Sequence, residues 1–277
     1  MMGEILCAVV LLTFSHFFPH VNEGDEDGTG ILVPLYVDPD STWYKLIEEK
    51  HEHHNVPIIA VINPSNGPGT AINQRYAGGV RQLQHSGIIV LGYVYTNYGI
   101  RNATDIESEI NSYKDWYGVN GIFFDEMANV EGKESYYANL TKYVKTHDMS
   151  MTIGNPGTDT LPSYVGTVDN LVLYENQNLP PVSLFGGWHE NFTKNNFSFV
   201  SYGVESMNSQ DVLLLAKHVG YLYVTERGLD NPWDALSGYF DKLVEMLKMS
   251  EISSHHRSDI SNYQDSEKIK NATILSS

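Results

Sequence analysis

Beyond residue 30 the chain alternates between short, continuously apolar runs and longer amphipathic stretches. The runs at 31–36, 58–62, 88–95, 121–125, 151–154, 170–174, 197–202 and 220–225 lack an inside–outside alternation. Strands covered on both faces read this way. Between them, 42–50, 72–85, 105–116, 135–147, 209–219 and 233–248 carry apolar residues at helical spacing. The stretches after the fifth and sixth runs are rich in Pro and Gly and predict long irregular loops. Eight strands interleaved with helices over about 220 residues predict a single α/β domain over 31–249, a (β/α)8 TIM barrel. An open doubly wound sheet competes, but Gly67-Pro68-Gly69 lacks the third glycine of a dinucleotide turn, and its proline removes a phosphate-binding N–H.

The ends read differently from the middle. Residues 5–14 (ILCAVVLLTF) form an apolar run of signal-peptide length, too short to span a bilayer, although Glu4 stands where a basic residue is usual. The expectation is a signal peptide over 1–22, an acidic leader over 23–30 and a polar, flexible tail over 250–277. The one cysteine, Cys7, falls inside the presumed signal, so no disulfide scaffold is expected and stability rests on core burial. Five Asn-x-Ser/Thr sequons, at Asn102, Asn139, Asn191, Asn196 and Asn271, fit a glycosylated protein that is secreted, extracellular or on the cell surface. No further apolar run is long enough for a membrane span. With 17 Lys+Arg against 34 Asp+Glu, the net charge of −17 argues against nucleic acid or an anionic membrane as partner.

In such a barrel the reactive groups stand at the carboxyl ends of the strands. Those positions hold Tyr36 and Asp38, Asn63, Tyr95 and Tyr98, Asp125 and Glu126, Asn155, Glu175, and Tyr202. Acids, tyrosines and amides suit an uncharged, hydroxyl-rich ligand worked on by acid/base carboxylates. Asp125 and Glu175 each end an apolar strand abruptly, and charge there is costly unless it faces a polar mouth. Two strands apart, they start roughly 10 Å from each other and can lean together to a glycosidase separation. Retention and inversion both remain open. Side chains alternate along a strand, so Asp125 and Glu126 cannot both point inward unless the strand has ended. Asn63-Pro64 and Asn155-Pro156 read equally as sugar-binding amides or as strand punctuation, and the tyrosines as stacking platforms or ordinary rim residues. His51-Glu-His-His-Asn55 misses the zinc motif H-E-x-x-H, because Asn55 takes the second histidine position, and reads as a solvated helix face. No metal or organic cofactor is called for.

Ile31-Leu-Val-Pro-Leu-Tyr36, Ile62-Asn-Pro-Ser-Asn-Gly-Pro-Gly69, Leu91-Gly-Tyr-Val-Tyr-Thr96 with Tyr98-Gly99, Trp116-Tyr117 and Gly121-Ile-Phe-Phe-Asp-Glu126 resemble the spherulin-4 family, which includes glycoside hydrolase family 135. The resemblance runs over about 31–248. It implies a secreted or surface (β/α)8 barrel that cuts polysaccharide within stretches of α-1,4-linked N-acetylgalactosamine. It carries catalytic roles onto Asp125, Glu126 and Glu175, the last through its Leu-Tyr-Glu context. The expected function is an endo-acting glycoside hydrolase on an amino-sugar polysaccharide. The alternative is a non-catalytic glycan-binding protein of a cell surface, spore or wall.

Overall fold

The computed structural model describes residues 28–248. The presumed signal, nearly all of the acidic leader, and the tail with Asn271 lie outside the described residues. Eight strands run in chain order: β1 (Gly30–Leu35), β2 (Ile58–Ile62), β3 (Ile89–Tyr95), β4 (Gly121–Asp125), β5 (Met151–Gly154), β6 (Asn170–Gln177), β7 (Phe197–Tyr202) and β8 (Tyr221–Val224). Every pairing is parallel and β8 closes on β1, giving the (β/α)8 barrel that the pattern predicts. The strands are buried on both faces because helices cover the outside, which is why their sequences do not alternate.

The helices are α1 (Ser41–Glu52), α2 (Gln74–His85), α3 (Ala103–Ser112), α4 (Glu134–Thr146), α5 (Ser209–Ala216) and α6 (240–248). Side-chain caps fix several starts: Asp40, Asn73, Asn102 and Asn208 each accept a hydrogen bond from the backbone N–H two residues on. Asn73 thereby starts α2 two residues later than periodicity suggests. The predicted third helix ends at Ser112 and continues as a π-helical turn, Tyr113–Tyr117, closed by Gly118 in a left-handed conformation. After β5 and β6 the chain makes only short 3-10 turns among the described residues, as expected of its Pro- and Gly-rich loops.

The largest departure is at the end of the barrel. Residues 233–239 are not helical, and α6 starts only at 240. The Glu226 carboxylate accepts from the Ser237 hydroxyl and the Gly238 N–H, and Asn231 caps the Trp233 N–H. These bonds hold a loop where the apolar spacing alone suggested a helix. The apolar weight of Trp233 serves the barrel mouth instead.

Two glycines set how closely the layers approach. A Cβ on Gly121 would lie 1.9 Å from the Met151 carbonyl oxygen, and one on Gly92 would lie 2.5 Å from the Tyr113 ring. Gly92 therefore faces outward. Its neighbours Tyr93 and Leu91 face the barrel interior, in line with Phe123 and Gly121 across the β3–β4 register.

Candidate active site at the barrel mouth

Residues paired across a parallel ladder point to the same side, so the registers trace the inward face around the barrel. Tyr93 pairs with Phe123, Phe123 with Ile153, and Ile153 with Asn170. One step higher, Tyr95 pairs with Asp125, and Asn155 follows β5 at the same level. Asp125 is therefore an inward residue on the uppermost row of β4. Glu126 follows with φ 48, a left-handed residue that ends the strand. Its carbonyl accepts from the Tyr98 N–H at 2.7 Å and the Thr96 hydroxyl at 2.8 Å, which ties the loop after β3 to the end of β4.

Glu175 reaches the interior by a different device. On β6, Asn170 and Val172 occupy inward rows, and Asn170 accepts a bond from the Ser198 hydroxyl inside the barrel. Unbroken alternation would turn Tyr174 inward and Glu175 out toward the helices. Val172 pairs with Ser198 but Glu175 pairs with Val200, so β6 spends one residue more than β7 over this span. This bulge reverses the alternation and aims Glu175 at the barrel axis. Beneath it, the Asn155-Pro156-Gly157 loop accepts the Glu175 N–H on the Gly157 carbonyl at 3.0 Å.

Asn155 joins the two acids. Its Nδ2 donates to Asp125 Oδ1 at 2.8 Å and to Glu175 Oε2 at 2.5 Å, while its Oδ1 accepts the Gly157 N–H at 2.9 Å. The two carboxylate oxygens are therefore at most about 5.3 Å apart, the two bonds laid end to end. Asp125 Oδ2 accepts from the Tyr93 hydroxyl at 2.8 Å, and its carboxylate also takes the Glu126 N–H. Glu175 accepts a second bond, from the Trp233 side chain. The Tyr36 ring stands edge-on to Tyr93 at 5.5 Å, and the Tyr93 ring stacks on Phe123 at 6.5 Å.

Electrostatics separates the two acids. Burial pushes Glu175 up to about 7; the neighbouring Asp125 charge adds to this, and the bonds from Asn155 and Trp233 draw it back. Asp125 is also raised by burial, but three donors oppose the shift and favour its ionised form. Tyr36 and Tyr93 are held well above the usual phenol range, first by burial and then by the Asp125 charge, so both remain protonated donors.

The remaining sequence candidates divide. Tyr202 stands edge-on to Trp233 at 6.1 Å, beside Glu175. Tyr95 faces inward next to Asp125, but the Arg101 guanidinium lies 4.1 Å over its ring and covers one face. Tyr98 is 56% exposed on the rim. Asp38 is turned away to an exposed ion pair with Arg75 at 3.2 Å. Asn63 uses its Oδ1 to accept the Gly67 N–H inside its own loop, and Tyr117 donates to the Pro68 carbonyl, so the glycine-rich block is built as a loop brace. Asn155 has both amide groups engaged within the protein and is 5% exposed, so the hydrogen bonds shown here go to the two acids and to its own loop. Tyr93 and Trp233 were not among the candidates. Tyr93 shares the inward face of β3 with Tyr95, a signal the alternation carries; Trp233 arrives from a loop with no sequence signal. Of the sequon residues, Asn102, Asn139 and Asn191 are exposed and Asn196 is half-buried.

The fold and the site together define a parallel (β/α)8 barrel with a hydrogen-bonded carboxylate pair at the C-terminal mouth of its strands. Residues 30–247 match spherulation-specific family 4 (Spherulin4), and the chain belongs to that family. It is 28% identical over 223 residues to Spherulin-4 of Physarum polycephalum, covering 76% of this chain and 67% of that one. Its fold is similar to the crystal structure of Aspergillus clavatus Sph3 in complex with GalNAc, with a TM-score of 0.71 and 24% identity, covering 80% of this chain and 98% of that one.

Proposed function

We propose that this protein is a secreted glycoside hydrolase that cuts within an amino-sugar polysaccharide, with Asp125 as nucleophile and Glu175 as general acid/base. The observation that carries this reading is the Asn155 bridge, which holds Asp125 and Glu175 in one cleft with their bridged oxygens no more than about 5.3 Å apart, close enough for a retaining pair. An inverting enzyme needs room for a water between acid and base, about 6.5–9.5 Å. The bridged oxygens, at most about 5.3 Å apart, favour the closer spacing of a retaining pair.

In the first step, protonated Glu175 gives its proton to the glycosidic oxygen as that bond breaks. The Asp125 carboxylate attacks the anomeric carbon and forms a glycosyl ester. In the second, ionised Glu175 takes a proton from water, whose oxygen attacks the same carbon and releases Asp125 with the starting anomeric configuration. Tyr93 and the Glu126 N–H hold the Asp125 oxygens in place. The Glu126 carboxylate, whose charge is felt at Tyr93, is assigned to orienting substrate. An α-1,4-linked N-acetylgalactosamine polymer is the favoured substrate class, supported by family membership and by the GalNAc bound to Sph3. Secretion is supported by the apolar N-terminal run and by the exposed sequons.

Incubation with N-acetylgalactosamine oligomers, followed by proton NMR of the first product, tests the proposal. Cleavage with retained α-configuration, abolished in Asp125→Asn, is the expected result. Binding by both proteins with turnover by neither would make this a glycan-binding protein instead.

A further inference from the structure

We propose that Glu49, Glu52 and His53 form a zinc site at the C-terminal end of α1, at the opposite end of the barrel from the carboxylate pair. The spacing i, i+3, i+4 sets all three side chains on one face of the helix. One ligand atom from each lies within 4.8 Å of the others. Most of His51-Glu-His-His-Asn55 is exposed, as its polar pattern predicts, but His53 is half-buried and Glu49 is only 9% exposed.

Glu49 Oε2 and His53 Nδ1 are both buried without a hydrogen-bond partner. Glu49 Oε2 stands 3.9 Å from His53 Nε2, too far for a hydrogen bond. A buried carboxylate left without donors is costly. Neither nearby lysine supplies a donor to that oxygen: Lys50 donates to the His54 and Val56 carbonyls, and the Lys45 charge opposes burial and the like charge of Asp241 on α6 without reversing them. A divalent cation held between Glu49 Oε2 and an imidazole nitrogen of His53 would satisfy the orphaned oxygen and offset the negative charge that Glu52 and Asp241 add at Glu49. Imidazole with carboxylate oxygens suits zinc, and bonds of about 2.0–2.2 Å in a tetrahedral site put ligand atoms roughly 3.4 Å apart. The present ligand atoms, within 4.8 Å of one another, lie somewhat wider than that spacing.

The test uses the full chain after chelator treatment, titrated with Zn2+ by calorimetry, with Mg2+ and Ca2+ as comparisons. One saturable zinc per chain is expected, with a rise of several degrees in unfolding midpoint at about 100-fold excess over Kd. Glu49→Gln and His53→Ala should each weaken binding at least about 10-fold, and His51→Ala with His54→Ala should leave it unchanged. Because Glu49→Gln keeps the side-chain shape and removes the buried charge, its fold is expected to survive. Co2+ in place of zinc should give an intense visible band in the wild type that His53→Ala abolishes. No saturable zinc binding, or binding removed only by the His51/His54 changes, would overturn the site.

Discussion

Asn155 determines how the acid pair behaves. With its amide shared between Asp125 and Glu175, and Trp233 donating to Glu175, the general acid is poised near neutrality rather than far above it. The pH–rate profile should therefore lose activity on an alkaline limb near 7, as Glu175 gives up the proton it must deliver. Trp233→Phe removes one stabilising donor and should move that limb upward, read as a shifted pKa in kcat/KM. The same perturbation bears on stability. A carboxyl raised in the folded state favours folding most below its unfolded pKa of about 4.5 and loses that advantage as pH rises through about 7. Glu175→Gln should therefore abolish turnover yet gain up to about 3 kcal/mol relative to wild type at pH 8, with the gain vanishing near pH 4. Paired denaturant midpoints at the two pH values check this.

The β6 bulge is the device on which the site turns. An apolar run that stops at an acid was legible in the chain, and it led to Glu175, but strand alternation by itself would have faced that acid toward the helices. Removing one residue at Tyr174 should restore regular pairing with β7 and turn Glu175 outward, leaving a folded barrel without hydrolytic activity. Circular dichroism and a turnover assay separate that outcome from unfolding. Close packing of β4 on β5 is less forgiving. Gly121→Ala would drive a methyl into the Met151 carbonyl, and loss of soluble protein or at least about 3 kcal/mol of stability is expected on expression and thermal melting. The false helix over 233–239 has the same origin as the bulge. Periodicity counts apolar residues, whereas Trp233 is apolar in order to sit against Tyr202 and Glu175 rather than against a strand.

At the scale of the molecule, a net charge of −17 gives the chain a field that draws cations. On the proposed function, a partly deacetylated, cationic polymer should be cleaved with a kcat/KM that falls steeply from low to 0.5 M salt, while a fully acetylated one should show little salt dependence. The chain itself determined the barrel, because eight runs buried on both faces and separated by amphipathic stretches have few other ways to hide their apolar surface. It also determined which acids end strands, since an abrupt charge after an apolar run is visible locally. Three-dimensional packing decided the rest: that a bulge turns Glu175 inward, that one amide spans both acids, and that a loop tryptophan reaches Glu175. Each depends on residues 20 to 58 positions apart meeting across the mouth, and local propensity carries no record of such a meeting.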